Sequence, residues 1–309
     1  MKPEERLRQL CASGELNVPA PGSGKTSLRH SRLMEFGRED LSLARLAEAH
    51  LDAAAIIEES GHKRLAGLYG VWAAETRGDG LRLECVDGRA TLTGSKMFCT
   101  GAGLIDRALI TVAGRLVDVD LRAECATLSM DYSAWKTNAF VDTNTAKVTF
   151  DRTSVAQLIG VDDWYLKRPG FWHGACGPAA CWAGGAIGLF DYAVSQARDE
   201  AHALAHLGAM RADVWAVKSY LETAGIEIDN DPGNFDAAMV RALTVRHLIE
   251  QACTQILQRL GRAFGPRPLA FDESISRRCQ ELELYIRQSH AERDLELLGR
   301  NVGSPCAPA

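Results

Sequence analysis

The spacing of apolar residues along this chain changes twice, from the helical period to the strand period of two and back again, and that order limits the fold more than any single motif does. Residues 1–66 keep helical spacing on both sides of Val18-Pro-Ala-Pro-Gly-Ser-Gly-Lys25, whose Pro and Gly break helices. The pattern predicts one interior helical segment from Ser31 to Glu59, with Leu33, Phe36, Leu41, Leu46, Leu51 and Ile57 packed on more than one side. From Gly67 to Phe150 alternation and Val/Thr enrichment predict strands, for example Leu109-Ile-Thr-Val112 and Ala146-Lys-Val-Thr-Phe150. Asp87-Gly88 and Ala113-Gly114 supply hairpin turns, which favours an antiparallel barrel or sandwich over βαβ units. Beyond Gly160 the helical period returns: a small-residue segment from Gly174 to Gly188, then Leu189 to Glu222, then Met239 to Leu260 with Gly261 as its cap. A Pro-containing loop over 261–271 and a last helix from Glu273 to Leu298 complete an α+β chain. Its expected domains are 1–66 (helical), 67–158 (β) and 159–309 (helical).

Composition excludes several classes of function. At 309 residues and 46% hydrophobic content the chain can bury a sizeable core. A net charge of -5 with scattered Lys and Arg argues against nucleic acid as a partner. Nine cysteines without a CxxC pair read as reduced thiols in a cytoplasmic protein, with no metal site. The charged amino terminus has no apolar signal core, and no stretch is apolar enough to span a bilayer.

The stretch after the first hairpin carries a possible chemistry. Gly94-Ser-Lys-Met-Phe-Cys-Thr-Gly101 resembles the Gly-x-Lys-x-Trp-Ile-Thr-Asn strand of acyl-CoA dehydrogenases, where an aromatic and a Thr meet the flavin ring. Lys147-Val-Thr-Phe-Asp-Arg-Thr-Ser-Val-Ala156 is similar to the strand that closes that family's β domain. Arg38-Glu-Asp-Leu-Ser-Leu-Ala-Arg-Leu-Ala-Glu-Ala-His50 is similar to the helix on its substrate side. The resemblance covers nearly the whole chain. It implies a shortened amino-terminal helical domain, a central antiparallel β-barrel or sandwich and a carboxy-terminal four-helix bundle. It also implies FAD against Phe98 and Thr100, with Ala74 and Thr76 on the strand that meets the cofactor. A small-molecule acyl substrate, CoA-linked or related, and a homodimer or homotetramer follow from the same resemblance.

The departures are chemical. The 66 residues before the sheet are about half the family's usual helical domain, and the family's Thr-Glu-Pro strand reads Val71-Trp-Ala-Ala-Glu-Thr76 here, followed by a shortened loop. The Arg-x-x-Phe-Gly segment that grips a neighbour's FAD is not reproduced at Arg198-Asp-Glu-Ala-His202, which implies weak or lost flavin binding. An ungapped match to Ile286-Arg-Gln-Ser-His-Ala-Glu-Arg293 puts Gln288 where the family's catalytic glutamate stands, and an amide cannot accept the proton α to a thioester. On a continuous helix Glu292 lies one turn from Gln288, and His290 is suited to proton transfer near neutrality, so both are candidate replacement bases. Three functions follow: an acyl-CoA dehydrogenase-type oxidoreductase, a flavin-dependent monooxygenase of the same fold, and a non-catalytic paralogue that binds an acyl ligand or serves assembly.

Each motif also has a structural reading. Phe98 by spacing alone is a core aromatic. Glu292-Arg-Asp-Leu-Glu296 reads as a solvated helical face. Gly22-Ser-Gly-Lys-Thr26 ends like a phosphate loop but lacks the preceding strand. His202 and His206 share a helix face without a third ligand, and Gly101-Ala-Gly103 reads as a turn. Most of the tryptophans read as core or interface anchors.

Overall fold

Pro3 starts the first helix and Gly14, in the left-handed region, ends it, the usual division of labour between these two residues. The computed structural model describes residues 1–75 and 80–302. Three helices come first: α1 (Pro3–Ser13), α2 (Thr26–Glu39) and α3 (Leu41–Glu59). Eight strands follow: β1 (Tyr69–Trp72), β2 (Arg82–Val86), β3 (Arg89–Cys99), β4 (Arg107–Val112), β5 (Arg115–Asp120), β6 (Leu128–Asp131), β7 (Ala146–Ser154) and β8 (Gln157–Ile159). Among the described residues the elements after β8 are helical: α4 (Trp164–Lys167), α5 (Pro169–Ser195), α6 (Ala201–Asn230), α7 (Phe235–Phe264), α8 (Arg267–Phe271), α9 (Glu273–Tyr285) and α10 (Glu292–Arg300). Contacts divide the chain into two units, one of residues 1–16 with 49–171, the other of residues 17–48 with the chain from Trp172 onward.

The first unit holds two four-stranded sheets, ordered β1-β4-β5-β8 and β2-β3-β7-β6. Both expected hairpins form: Asp87-Gly88 joins β2 to β3 and Ala113-Gly114 joins β4 to β5, all four turn residues having positive φ. The antiparallel expectation fails at one place, because β1 pairs parallel with β4, and no closed barrel forms among the described residues. A chain that reaches β1 from a helix enters the sheet without a hairpin to fix its direction. The buried Lys96 ammonium on β3 donates to the Thr111 carbonyl on β4 at 3.0 Å, tying one sheet to the other. Asp118, fully buried on β5, accepts from Arg107 at 3.1 Å and from the Tyr69 hydroxyl at 3.1 Å. Burial works to raise its pKa and Arg107 opposes the rise, so the ion pair is what keeps a charge tolerable there. Ala53, Ile56 and Ile57 of α3 pack on Tyr69, Leu109, Leu116 and Ile159 of the first sheet.

In the second unit, small residues let helices meet at backbone distance. A Cβ on Gly184 of α5 would lie 2.9 Å from Gly37 Cα and Arg38 N on α2, and closer still to the Met34 carbonyl oxygen. The reciprocal Cβ on Gly37 would meet the Cys181 carbonyl, and one on Gly225 of α6 would lie 2.6 Å from Ser27 N. The small-residue segment expected from Gly174 to Gly188 therefore does form a close helix seam, inside a 27-residue helix that tolerates Pro178.

Helix boundaries moved where the apolar pattern was continuous. The single segment expected from Ser31 to Glu59 is two helices, separated at extended Asp40, whose carboxylate accepts the Leu43 N–H at 2.8 Å as an N-cap. Gly261 does not end α7; the helix runs on to Phe264 and stops at Gly265, φ 64°. The expected loop over 261–271 contains α8, whose Pro268 sits in the first turn, where its missing N–H costs nothing.

Two outcomes follow. Gly184→Ala should lower unfolding free energy by at least about 2 kcal/mol, read as a lower urea midpoint at unchanged m, because the opposing atoms are backbone. His50 is buried, its Nδ1 accepts the Tyr69 N–H at 3.0 Å, and burial followed by the Arg64 charge lowers its pKa to about 4. The folded imidazole thus stays neutral where the unfolded one, near pKa ~6.5, takes up a proton. Its contribution is complete above that value and lost as pH falls towards 4. Between pH 7 and pH 5 it should account for about 2 kcal/mol of lost unfolding free energy, a slope that His50→Gln removes.

Candidate functional site

β3 is irregular where the sequence suggested chemistry. Its pairing with β7 slips between Lys96 and Cys99, and inside that bulge Phe98 adopts φ 55°. Left-handed backbone at an aromatic residue is strained, and such strain collects at functional positions. The slip also decides where the ring goes. Cys99 is buried, whereas Phe98 is 49% exposed, its ring edge-on to Trp135 at 6.5 Å and 90°. The core-aromatic alternative for Phe98 is thereby excluded.

Thr100 is held by a chain of short contacts. Its N–H donates to the Phe98 carbonyl at 2.9 Å, and its own carbonyl accepts the Trp72 indole N–H at 2.9 Å. Its hydroxyl meets Thr145 Oγ1 at 3.1 Å, Thr145 meets Thr143 at 3.1 Å, and Thr143 donates to the Phe140 carbonyl at 2.8 Å. The ladder sets the direction of the Thr100 hydroxyl. Ala74 is exposed just past the end of β1, and Thr76 lies outside the described residues. Sequence reasoning missed Trp135, Thr143 and Thr145, since nothing local shows which loop returns beside a bulge. The Thr143-Asn-Thr145 spacing was the available signal.

In the second unit the continuous last helix does not form. α9 ends in a 3-10 turn at Ile286–Gln288, Ser289 is extended, Ala291 has φ 48°, and α10 starts at Glu292. Gln288 and Glu292 therefore do not share a helix face, which corrects the expectation. Gln288 is exposed and its carbonyl accepts from Arg246 Nη2 at 2.6 Å. His290 is exposed, with Nδ1 3.2 Å from Asp294 Oδ1 and its N–H donating to Asp294 Oδ2 at 3.0 Å. Glu292, also exposed, opens the first turn of α10, where a carboxylate favours the helix dipole. Asp294, the partner of His290, was not anticipated.

Arg246 was missed as well. It is buried on α7 with its guanidinium 4.8 Å from the Trp182 ring centre, and it also donates to the Ala175 carbonyl at 2.9 Å. Burial pulls its pKa below the usual arginine value, with Asp294 the leading opposing charge. An arginine amid Leu243, Val245 and Ile249 was the readable sign.

One weaker motif finds its partner within the chain. The Gly22–Thr26 turn offers its amides to a side chain of its own unit: Asp229 on α6 accepts from Gly24 N at 3.0 Å, Thr26 N at 2.8 Å and Thr26 Oγ1 at 2.6 Å. A carboxylate holds the place an anion would need. Among the described residues no group of three His, Cys, Asp or Glu side chains could hold a metal ion.

No known family model matches the sequence. No curated protein matches it either. Solved structures do. The nitrososynthase of Micromonospora carbonacea var. africana superposes with a TM-score of 0.81 at 15% identity, over 98% of this chain and 90% of that one. The dibenzothiophene monooxygenase TdsC of Paenibacillus sp. A11-2, crystallised with FMN and indole, gives 0.78 at 16% identity over 91% and 84%. Butyryl-CoA dehydrogenase from Megasphaera elsdenii gives 0.74 at 17% identity over 88% and 81%. The chain has the acyl-CoA dehydrogenase-like fold. Within that fold the helix order, the central sheets and the carboxy-terminal helical region agree with expectation.

The strain at Phe98 is measurable without any ligand. Phe98→Ala and Phe98→Gly lose the same ring contact, but only glycine relaxes at positive φ, so the glycine variant should be the more stable by about 1 kcal/mol in urea unfolding.

Proposed function

We propose that this protein is a flavin-dependent oxidoreductase of the oxygen-using, monooxygenase type. The observation that carries the reading is Phe98, an aromatic ring held half out of the surface by strained backbone, with the Thr100 hydroxyl fixed two residues on. An exposed ring with a hydroxyl whose proton is committed to Thr145 suits a flat heteroaromatic group, which stacks on the one and donates a hydrogen bond to the other. These residues fit the ring portion of a flavin. Bound, such a group accepts hydride, or in its reduced form activates molecular oxygen. The solved neighbours that carry flavin support the reading, including TdsC with FMN and the KijD3 complex with FMN and a dTDP-linked amino sugar.

The choice of oxygen chemistry rests on the turn after α9. Dehydrogenation of an acyl thioester needs a carboxylate to remove the α proton. Gln288 carries an amide, and its backbone carbonyl is committed to Arg246. His290 with Asp294 is the group suited to moving a proton, since the carboxylate lies against Nδ1 and orients the imidazole. FMN or FAD, and a homodimer or homotetramer, remain within the proposal.

Titrating the purified chain with FMN and FAD, by fluorescence quenching and visible spectrum, tests it. Binding of either flavin, weakened by at least about tenfold in Phe98→Ala, is the expected result. Butyryl-CoA with FAD and an artificial electron acceptor should give no turnover. A chain that binds neither flavin is not an oxidoreductase of this kind. Thermal stabilisation by acyl-CoA alone would then point to a binding protein instead.

A further inference from the structure

A cleft of about 710 Å³ opens in the first unit between α1 and the segment that leads into β1. Its size lies within the range of small-molecule sites, roughly 300–1,000 Å³. Ala12, Leu65, Ala66 and Leu68 give it apolar lining, and Arg8, Lys63 and Arg64 give it positive charge.

The charges are arranged unequally. Arg8 is fixed: Nε donates to Glu4 at 3.1 Å and Nη2 to the Leu104 carbonyl at 2.6 Å, with Asp106 at 3.5 Å. Asp106, the carboxylate in the lining, is already engaged by Arg8, by Arg122 and by the Leu68 N–H at 2.8 Å. Gly67 makes that engagement close, since a Cβ there would lie 2.8 Å from Asp106 Cβ, and its φ is 128°. Lys63 and Arg64 differ, for among the described residues neither side chain has an ion pair or hydrogen bond, and both are exposed. The field of Arg64 is strong enough to help hold His50 neutral. Two neighbouring cations without a counter-charge, beside a rigid third and an apolar lining, form a receptor for an anion with an organic body.

We propose that this cleft binds a small organic phosphate, its phosphate paired with Lys63 and Arg64 and its body lying on Ala12, Ala66 and Leu68. Arg and Lys both recognise phosphate, Arg through a planar fork and Lys as a point charge, and adjacent copies span its oxygens. The site is separate from Phe98 and Thr100 in its residues and does not depend on the flavin reading.

Isothermal titration of the full chain with AMP and with phenyl phosphate tests it, alongside their parts adenosine, phenol and inorganic phosphate. At least one organic phosphate should bind more tightly than either of its parts, and more weakly as salt rises. The Lys63→Glu/Arg64→Glu variant should fold with unchanged thermal stability and lose at least about tenfold in affinity. Phe98→Ala, which disables the flavin reading, should leave that affinity unchanged within about twofold. Absence of binding to both phosphates at concentrations on the order of 10 mM overturns the proposal. So does equal binding by a fragment, or a loss on Phe98→Ala that matches the loss in the charge-reversed variant.

Discussion

The backbone contact between Gly37 and Gly184 is the constraint on which the helical unit depends. With hydrogen atoms in place of side chains, α2 and α5 approach until the carbonyls of Met34 and Cys181 face the opposite glycine. No larger residue fits without moving a helix. The same device recurs at Gly225 against Ser27, so α2 is seated from two sides, by α5 and by α6. The buried His30, whose Nδ1 lies 2.9 Å from the Leu221 carbonyl, adds a polar link between α2 and α6 and is kept neutral by burial. Close packing of this kind seats α2 firmly on α5, whose buried face is mostly Ala and Gly.

How much of the fold could be read in the sequence depended on whether a local signal had a local cause. The two hairpins were legible because Asp87-Gly88 and Ala113-Gly114 determine their own backbone. The order of helices and strands was legible because burial imposes a period. The break at Asp40 was obscured, since apolar residues continue on both sides of it, although Asp at a cap position was visible. The parallel pairing of β1 with β4 joins residues 38 apart in number and leaves no trace in either strand alone.

The candidate residues divide in the same way. Resemblance singled out Phe98, but the reason it is exposed, a slip in pairing with β7, belongs to two strands at once. At the other candidate segment, the helical spacing of Gln288 and Glu292 was a fair expectation from propensity. It failed because the chain turns at Ser289 and Ala291, a geometry for which serine and alanine give no warning. The Gly22–Thr26 turn shows the converse: a phosphate-like spelling is explained by Asp229, a residue more than two hundred positions away.

One guanidinium joins two helical segments. Arg246 caps a carbonyl within α5 and another at the end of the turn that follows α9, while lying over Trp182. The carboxy-terminal turn and α5 are consequently mechanically coupled: displacing Gln288 removes a bond from the same cation that serves Ala175. Displacement of the Ile286–Gln288 turn would thus be felt at α5 through this cation rather than absorbed at the surface.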